Sequence, residues 1–410
     1  MSDDAIVGAS GHLGDRLARL RRLADLTQES LSERSGVSID VIRKLEQHRK
    51  HSARLPTLHK LAAGLGVEVT GLLGDPPALS TGDVESPALV AVRRAIMPSP
   101  LAATPEPGGV EPLSLDLLKA EIADGWTLYH SAEFGRLTQT LPVIVEDARL
   151  AAAVGRAKHR REAQAALGKA FQLGGHLAVR LGKTDLAMVS LERGLQAADS
   201  AENPLLTAMV FNSVSWAYQQ QNRLDDALQL ALHAADDVER NGPRTADEVR
   251  VWGGLLMSAA RSSGLIADYD QASDIFKAAE GAAERLATLQ PSVNDKLVTV
   301  FHRSAVRIER VRLAAQHGRP EQALALARGI RLSHDTLPSW RTWLQLDLAR
   351  AYTDVGDAER AVQTLESVYR HSPQWMRHGT LAVAIVRDLW AGRARPPGLR
   401  RLAEILGVVG

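Results

Sequence analysis

Five side chains on one short predicted helix carry the most specific chemistry in this chain: Ile39, Asp40, Arg43, Lys44 and Gln47. They share an outward face, while Val41, Ile42 and Leu45 share the opposite, apolar one. Arg43 or Lys44 can donate to the paired acceptors of a guanine edge, Asp40 can accept from a cytosine amino group, and Ile39 can touch a thymine methyl. This is the chemistry of reading bases in a major groove. Directly after it comes His48-Arg49-Lys50-His51-Ser52-Ala53-Arg54. Its cations Arg49, Lys50 and Arg54 suit phosphates, which set affinity and register but not sequence. Thr27 and Ser38, at the starts of two successive helices, are placed with the phosphate contacts.

Three elements must position that face. Leu13, Leu17, Leu20 and Leu23 recur at helical spacing, predicting a first helix from Leu13 to Leu26. Thr27 suits the N-cap of a second helix, because its hydroxyl can satisfy a free backbone N–H. Ser35-Gly36 ends that helix, since glycine tolerates the left-handed conformation that reverses the chain. Ser38 then opens the reading helix. Glu46 is expected to pair with an arginine of the first helix. Helices over Pro56–Leu65 and Glu68–Leu73 complete a five-helix unit. From Arg16 to Lys60 the chain holds 11 Lys/Arg against 5 Asp/Glu, a net +6, whereas the whole chain is only +1. Positive charge is thus concentrated where phosphate would lie.

The segment resembles the Xre/phage-repressor type of helix-turn-helix. The resemblance is carried by Leu20-Arg21, Leu26-Thr27-Gln28, Leu31, Ser35-Gly36-Val37-Ser38, Ile42, Leu45-Glu46, Pro56-Thr57-Leu58, Leu61-Ala62, Leu65-Gly66-Val67 and Leu72-Leu73. It implies base reading from Ile39, Asp40, Arg43 and Lys44. It also implies that Gln28 contacts the DNA backbone and buttresses the reading helix. His48 stands where that family usually has glycine. Histidine tolerates a positive φ better than most residues, so the same turn is expected.

At 410 residues the chain is long enough for two or more domains, and its 45% hydrophobic and 24% charged composition is ordinary for a soluble protein. It has no cysteine, which excludes disulfides, thiolate chemistry and cysteine zinc sites. Neither a signal-peptide pattern nor a long apolar run is present, so a cytoplasmic location without membrane contact is expected. Residues 75–112 hold 8 of the 18 prolines. Proline at that density favours extended chain, with room for one short helix over Ala88–Met97. The expected domains are residues 10–75, a linker over 76–112, and residues 113–410.

Beyond Leu113 the pattern is helical and recurrent. A small or polar turn residue is followed by an acid three residues on and an alanine two further. Gly182-Asp185-Ala187, Asn222-Asp225-Ala227, Gly318-Glu321-Ala323 and Gly356-Glu359-Ala361 are clear copies, and Ala267-Asp270-Ala272 is weaker. Each alanine is expected to begin a helix. A degenerate first copy is expected over Tyr129–Thr140, anchored by Phe134 and Leu137, with a capping helix over Pro397–Val409. This resembles tetratricopeptide repeats, stacked helix pairs forming a curved solenoid with a concave face. The expected fold class is therefore all-α, a five-helix DNA-binding unit followed by an α-solenoid. In such arrays the first helix of each pair lines the concave side. That rule nominates Asn212, Trp216, Gln219, Arg303, Arg307, Arg310, Trp343 and Asp347 for a ligand groove. Arg303, Arg307 and Arg310 form a stripe that can hold a carboxylate. The seven tryptophans are otherwise read mostly as packing aromatics.

Enzyme signatures are missing. Gly182-Lys183-Thr184 imitates the end of a phosphate loop, but Leu177 stands where that loop needs glycine. No HExxH, GxSxG or dinucleotide fingerprint occurs, and no cofactor or metal is called for. The two-module arrangement resembles the peptide-responsive quorum regulators of Gram-positive bacteria and the Xre–repeat regulators of actinomycetes. The resemblance implies a one-component transcriptional regulator: a homodimer binding double-stranded operator DNA under control of a peptide or small-molecule effector. A second reading makes the repeat unit a docking site for a partner protein, localised to DNA by the first module.

Overall fold

The computed structural model describes residues 13–24, 26–49, 53, 55–65, 67, 72, 85–99, 101, 112–154, 159–290, 300–332, 336–378 and 380–409. Among them every regular element is helical. No helix of these residues is long and apolar enough to cross a membrane.

The N-terminal unit holds α1 (Leu13–Leu23), α2 (Gln28–Ser35), α3 (Ile39–Glu46) and α4 (Leu55–Leu65). Leu17, Leu31, Ile42, Leu45 and Leu61 are fully buried in one core, with Leu72 beside them. Burying each such side chain stabilises by about 1.5–3 kcal/mol. α1 stops at Leu23, three residues before the predicted end. The Thr27 hydroxyl accepts from the Ser30 amide at 3.0 Å, and Gly36 closes α2 at φ 63°. Ser38 precedes α3 as expected, but its hydroxyl makes no capping bond. Two glycines allow the close packing: a Cβ on Gly14 would overlap the Leu45 carbonyl, and one on Gly64 would crowd Ser35. Of the fifth predicted helix, Glu68–Leu73, only Leu72 lies within the described residues.

The short helix expected in the proline-rich stretch is α5 (Pro87–Ile96), capped by the Ser86 hydroxyl. Leu89, Val92, Ala95 and Ile96 pack into the core of the repeat body, so α5 belongs to that body and not to a free linker. The pairs follow as α6 (Leu115–His130) with α7 (Phe134–Val154), α8 (Arg160–Arg180) with α9 (Thr184–Ser200), and α10 (Pro204–Gln220) with α11 (Leu224–Arg240). Next come α12 (Ala246–Ile266) with α13 (Tyr269–Leu286), α14 (Arg303–Gln316) with α15 (Pro320–Ala327), and α16 (Pro338–Asp354) with α17 (Ala358–His371). α18 (Pro373–His378), α19 (Thr380–Ala391) and α20 (Leu399–Ile405) finish the chain, and Leu399, Leu402 and Ala403 seal its end.

The turn signature has a backbone cause. Gly182, Asn222, Ala267, Gly318 and Gly356 all take positive φ, between 59° and 83°. That conformation reverses the chain between antiparallel helices. The signature's alanines are each at most 1% exposed, wedged between paired helices. The second helix of each pair starts three residues before its alanine, at Thr184, Leu224, Tyr269, Pro320 and Ala358, not at it. The signature's acid therefore sits in the first turn, where a negative charge favours the helix dipole. The degenerate first copy is present too, with Ala132 at φ 62° and Phe134 and Leu137 buried.

The solenoid comes back on itself. His130 Nδ1 of α6 lies 3.0 Å from Ser339 Oγ of α16. The Phe134 ring of α7 meets Trp375 of α18 edge-on at 5.4 Å, and Trp375 is buried in the core of the first units. The first and last pairs thus share a seam.

Candidate functional site

The outward face of α3 is built as follows. Ile42 and Leu45 anchor the helix in the core, leaving Asp40, Arg43, Lys44 and Gln47 exposed and Ile39 partly so. Arg21 of α1 grips Glu46 through two bonds, Nε at 2.8 Å and Nη2 at 2.9 Å. Gln28 Nε2 donates to the same carboxylate at 2.6 Å. Burial pushes Glu46 up, but the bonds from Arg21 and Gln28 outweigh it and hold the carboxyl below its ordinary range. Gln28 also accepts from Arg43 Nε at 3.4 Å, so one side chain of α2 braces two residues of α3.

The two cations of that face rest on carboxylates: Arg43 on Glu29 at 3.1 Å, Lys44 on Asp40 at 2.6 Å. Both pairs are exposed, so they exchange readily for nucleic-acid acceptors. His48 takes φ 55°, the turn expected at that position, and its Nε2 lies 3.0 Å from Asp15 Oδ1 of α1. Thr27, Ser38 and Arg49 are exposed beside the same face. Lys50 and Arg54 lie outside the described residues.

The repeat body encloses a second candidate site, a cavity of about 1260 Å³ along its concave side. That exceeds the roughly 300–1,000 Å³ of sites for drug-sized ligands. Each first helix contributes. Trp126 and His130 come from α6, Gln172, His176 and Arg180 from α8, and Asn212, Trp216 and Gln219 from α10. Arg250 and Arg261 come from α12, Glu309 and Arg312 from α14, Trp343 and Asp347 from α16, and Trp375 from α18. Five of the seven tryptophans line it: Trp216 and Trp343 as expected, and Trp126, Trp340 and Trp375, which also pack against the hydrophobic cores.

Two features of its charges stand out beside the Arg250–Asp247 and Arg303–Glu284 pairs. Glu309 accepts from Arg312 at 2.8 Å and from Arg261 at 3.3 Å, and Arg312 reaches Asp347 at 3.1 Å. Two cations and two anions thus form a neutral wall, in which burial raises the Asp347 carboxyl. Arg180 stands apart at the seam. Its guanidinium lies 4.4 Å from the ring of Trp375, 5.0 Å from Trp216 and 5.1 Å from Trp343, while Nε donates to Tyr129 Oη at 3.1 Å. Beside it, burial and the Arg180 charge lower His130 to about 4 and His176 to about 3. Both imidazoles are therefore neutral at pH 7. His176 stacks on Trp216 at 4.8 Å and its Nε2 lies 2.9 Å from Ser213 Oγ. His176 Nδ1, Arg261 Nε, Gln316 Oε1 and Trp375 Nε1, buried atoms of residues around this space, have no hydrogen-bond partner among the described residues.

Residues 12–72 match the family model of the helix-turn-helix domain. The N-terminal unit is a helix-turn-helix domain. No curated protein matches the chain. Among solved structures, BtubC (BKLC) from P. vanneervenii is similar over 63% of this chain and 91% of its own, at 16% identity and a TM-score of 0.37. The Rap protein complexed with competence and sporulation factor is similar over 72% of this chain and 87% of its own, at 11% identity and a TM-score of 0.43. Both superpose loosely.

Of the predicted groove residues, Asn212, Trp216, Gln219, Arg303, Trp343 and Asp347 line the cavity. Gln219 is already engaged, its amide donating to Ser262 Oγ at 2.9 Å. Arg307 and Arg310 do not line it, because α14 turns them outward. Arg307 donates to the Gly329 carbonyl at 3.1 Å, and Arg310 pairs with Glu280 at 2.6 Å. The predicted arginine stripe is therefore not assembled in the groove, and only Arg303 reaches its rim. Sequence reasoning missed Gln172, His176 and Arg180. A signal was there: these three recur every fourth residue on a first helix, the same rule that nominated Asn212 and Trp216.

Proposed function

We propose that this protein is a sequence-specific transcriptional regulator, acting as a homodimer. The helix-turn-helix domain binds operator DNA through α3. Ile39, Asp40, Arg43, Lys44 and Gln47 read bases, and Thr27, Gln28, Ser38, Arg49, Lys50 and Arg54 hold phosphates. A peptide or small-molecule effector occupies the cavity of the repeat body and sets operator affinity. The observation that carries this reading is the exposed polar face of α3, braced from behind by the Arg21–Glu46–Gln28 cluster. A helix so fixed, with its cations free to exchange partners, is fitted to direct readout. Control follows by population shift: an effector that binds one curvature of the solenoid better than another changes the spacing of two DNA modules.

The test is selection of bound DNA from a random library, with full-length protein at two salt concentrations. Two half-sites at a fixed spacing, about 34 Å or a multiple of it, are expected. Enrichment of nothing, with binding that vanishes at higher salt, would leave only non-specific phosphate contact and defeat the proposal.

A further inference from the structure

The cavity's charged side chains are mostly paired. Arg261, Glu309, Arg312 and Asp347 neutralise one another. Arg250 has Asp247 at 3.7 Å, and Arg303 has Glu284 at 3.8 Å. Arg180 differs: among the described residues it has no carboxylate partner. Aromatic rings cover its guanidinium and Tyr129 takes its Nε, so the Nη edge is left for a ligand. A guanidinium presents that edge to an oxyanion in its own plane through parallel N–H bonds. Charge-assisted bonds of this kind gain strength where water is excluded. The flanking histidines are neutral and do not add charge that would itself need compensation. Trp375, only 4% exposed, borders the same space, and its indole N–H is buried without a hydrogen-bond partner among the described residues. Trp126, Trp216 and Trp343 supply flat apolar walls.

We propose that the cavity binds an anionic ligand with a flat or apolar body, its carboxylate or equivalent oxyanion held by Arg180. Such a carboxylate is supplied equally by a small organic acid or by a peptide C-terminus. The inference deepens the effector reading, resting on it only for the link to DNA. Binding itself is read on the protein alone.

Two fluorescent probes of similar shape decide it. 8-Anilinonaphthalene-1-sulfonate carries an anionic group, and N-phenyl-1-naphthylamine is its neutral counterpart. Full-length protein is expected to bind the anionic probe about tenfold more tightly, with quenching of the cavity tryptophans. Arg180→Gln should abolish that preference, weakening the anionic probe far more than the neutral one, and Arg180→Lys should keep part of it. Arg310→Gln, outside the cavity, should change neither. Circular dichroism and melting temperature establish that the variants fold. Equal affinity for the two probes, or a preference that survives Arg180→Gln, overturns the proposal.

Competition against the bound anionic probe then separates the sources. Displacement by free-acid peptides identifies a chain terminus, and displacement by indole-3-acetate identifies a small acid. Amidated peptides that compete as well as the free acids also overturn the proposal. If probe binding behaves as expected but saturation leaves operator binding unchanged, the site stands and the regulatory reading falls.

Discussion

Arg43 sits between two demands. In the free protein it is held by Glu29 and Gln28, and on an operator it would donate to a base. Arg43→Ala should cost about 1–3 kcal/mol on the preferred operator and relax one position of it. Arg49→Ala should weaken every sequence alike and lower the salt slope by about one. Titrations of a matched and a scrambled operator at several salt concentrations separate the two, and equal loss of specificity from Arg49→Ala would count against α3 as the reader. Glu29→Gln releases Arg43 from an exposed, solvent-screened pair, so it should tighten DNA binding only slightly. Glu46 acts from behind. Its carboxyl is held below its ordinary range, so its stabilisation is present above the unfolded value of 4.5 and lost as pH falls through the lower folded value. Glu46→Gln should remove that acid-dependent loss and cost about 1–3 kcal/mol at pH 7, measured by urea unfolding. The pairing of Glu46 with α1 was legible in the sequence. Its second partner, Gln28, was legible as a brace only through the family resemblance, because the contact depends on how α2 crosses α3.

The turns between paired helices were the most legible elements, because a positive φ is a local steric demand. Glycine, asparagine or alanine at Gly182, Asn222, Ala267, Gly318 and Gly356 marks it in the sequence. Helix starts were read three residues late because the buried alanine, not the helix's first residue, makes the pattern visible. Side-chain direction was less legible. Arg303, Arg307 and Arg310 share a helical stripe, yet only Arg303 reaches the cavity, because the roll of α14 is set by the packing of its neighbours. The same contrast gives a prediction. At Gly182, φ is 70° and a Cβ would meet nothing, so Gly182→Ala should cost only the left-handed backbone penalty, about 1–2 kcal/mol. At Gly253 a Cβ would overlap the Phe301 ring, so Gly253→Ala should cost more through overpacking, roughly 1–3 kcal/mol with repacking of α12 against Phe301. Thermal unfolding of both variants checks the order, and a larger loss at Gly182 would contradict it.

At the scale of the whole molecule, the seam between α6–α8 and α16–α18 left no mark in the sequence, because no local pattern encodes how far each pair rotates on the last. An open array of repeats behaves as a line of neighbours, each unit stabilised by the two beside it and fraying from both ends. Trp375 against Phe134, and Ser339 against His130, join what would be the ends of that line. Trp375→Ala should therefore loosen α6 and α7, some 240 residues earlier in the chain, as directly as it loosens its own helix. Hydrogen exchange would register this as lost amide protection in both regions. Change confined to α16–α20 would mean the contact is ornamental. A body joined in this way ties its first and last helix pairs together, so those pairs should lose protection in one cooperative step where the ends of an open solenoid of the same length would fray independently.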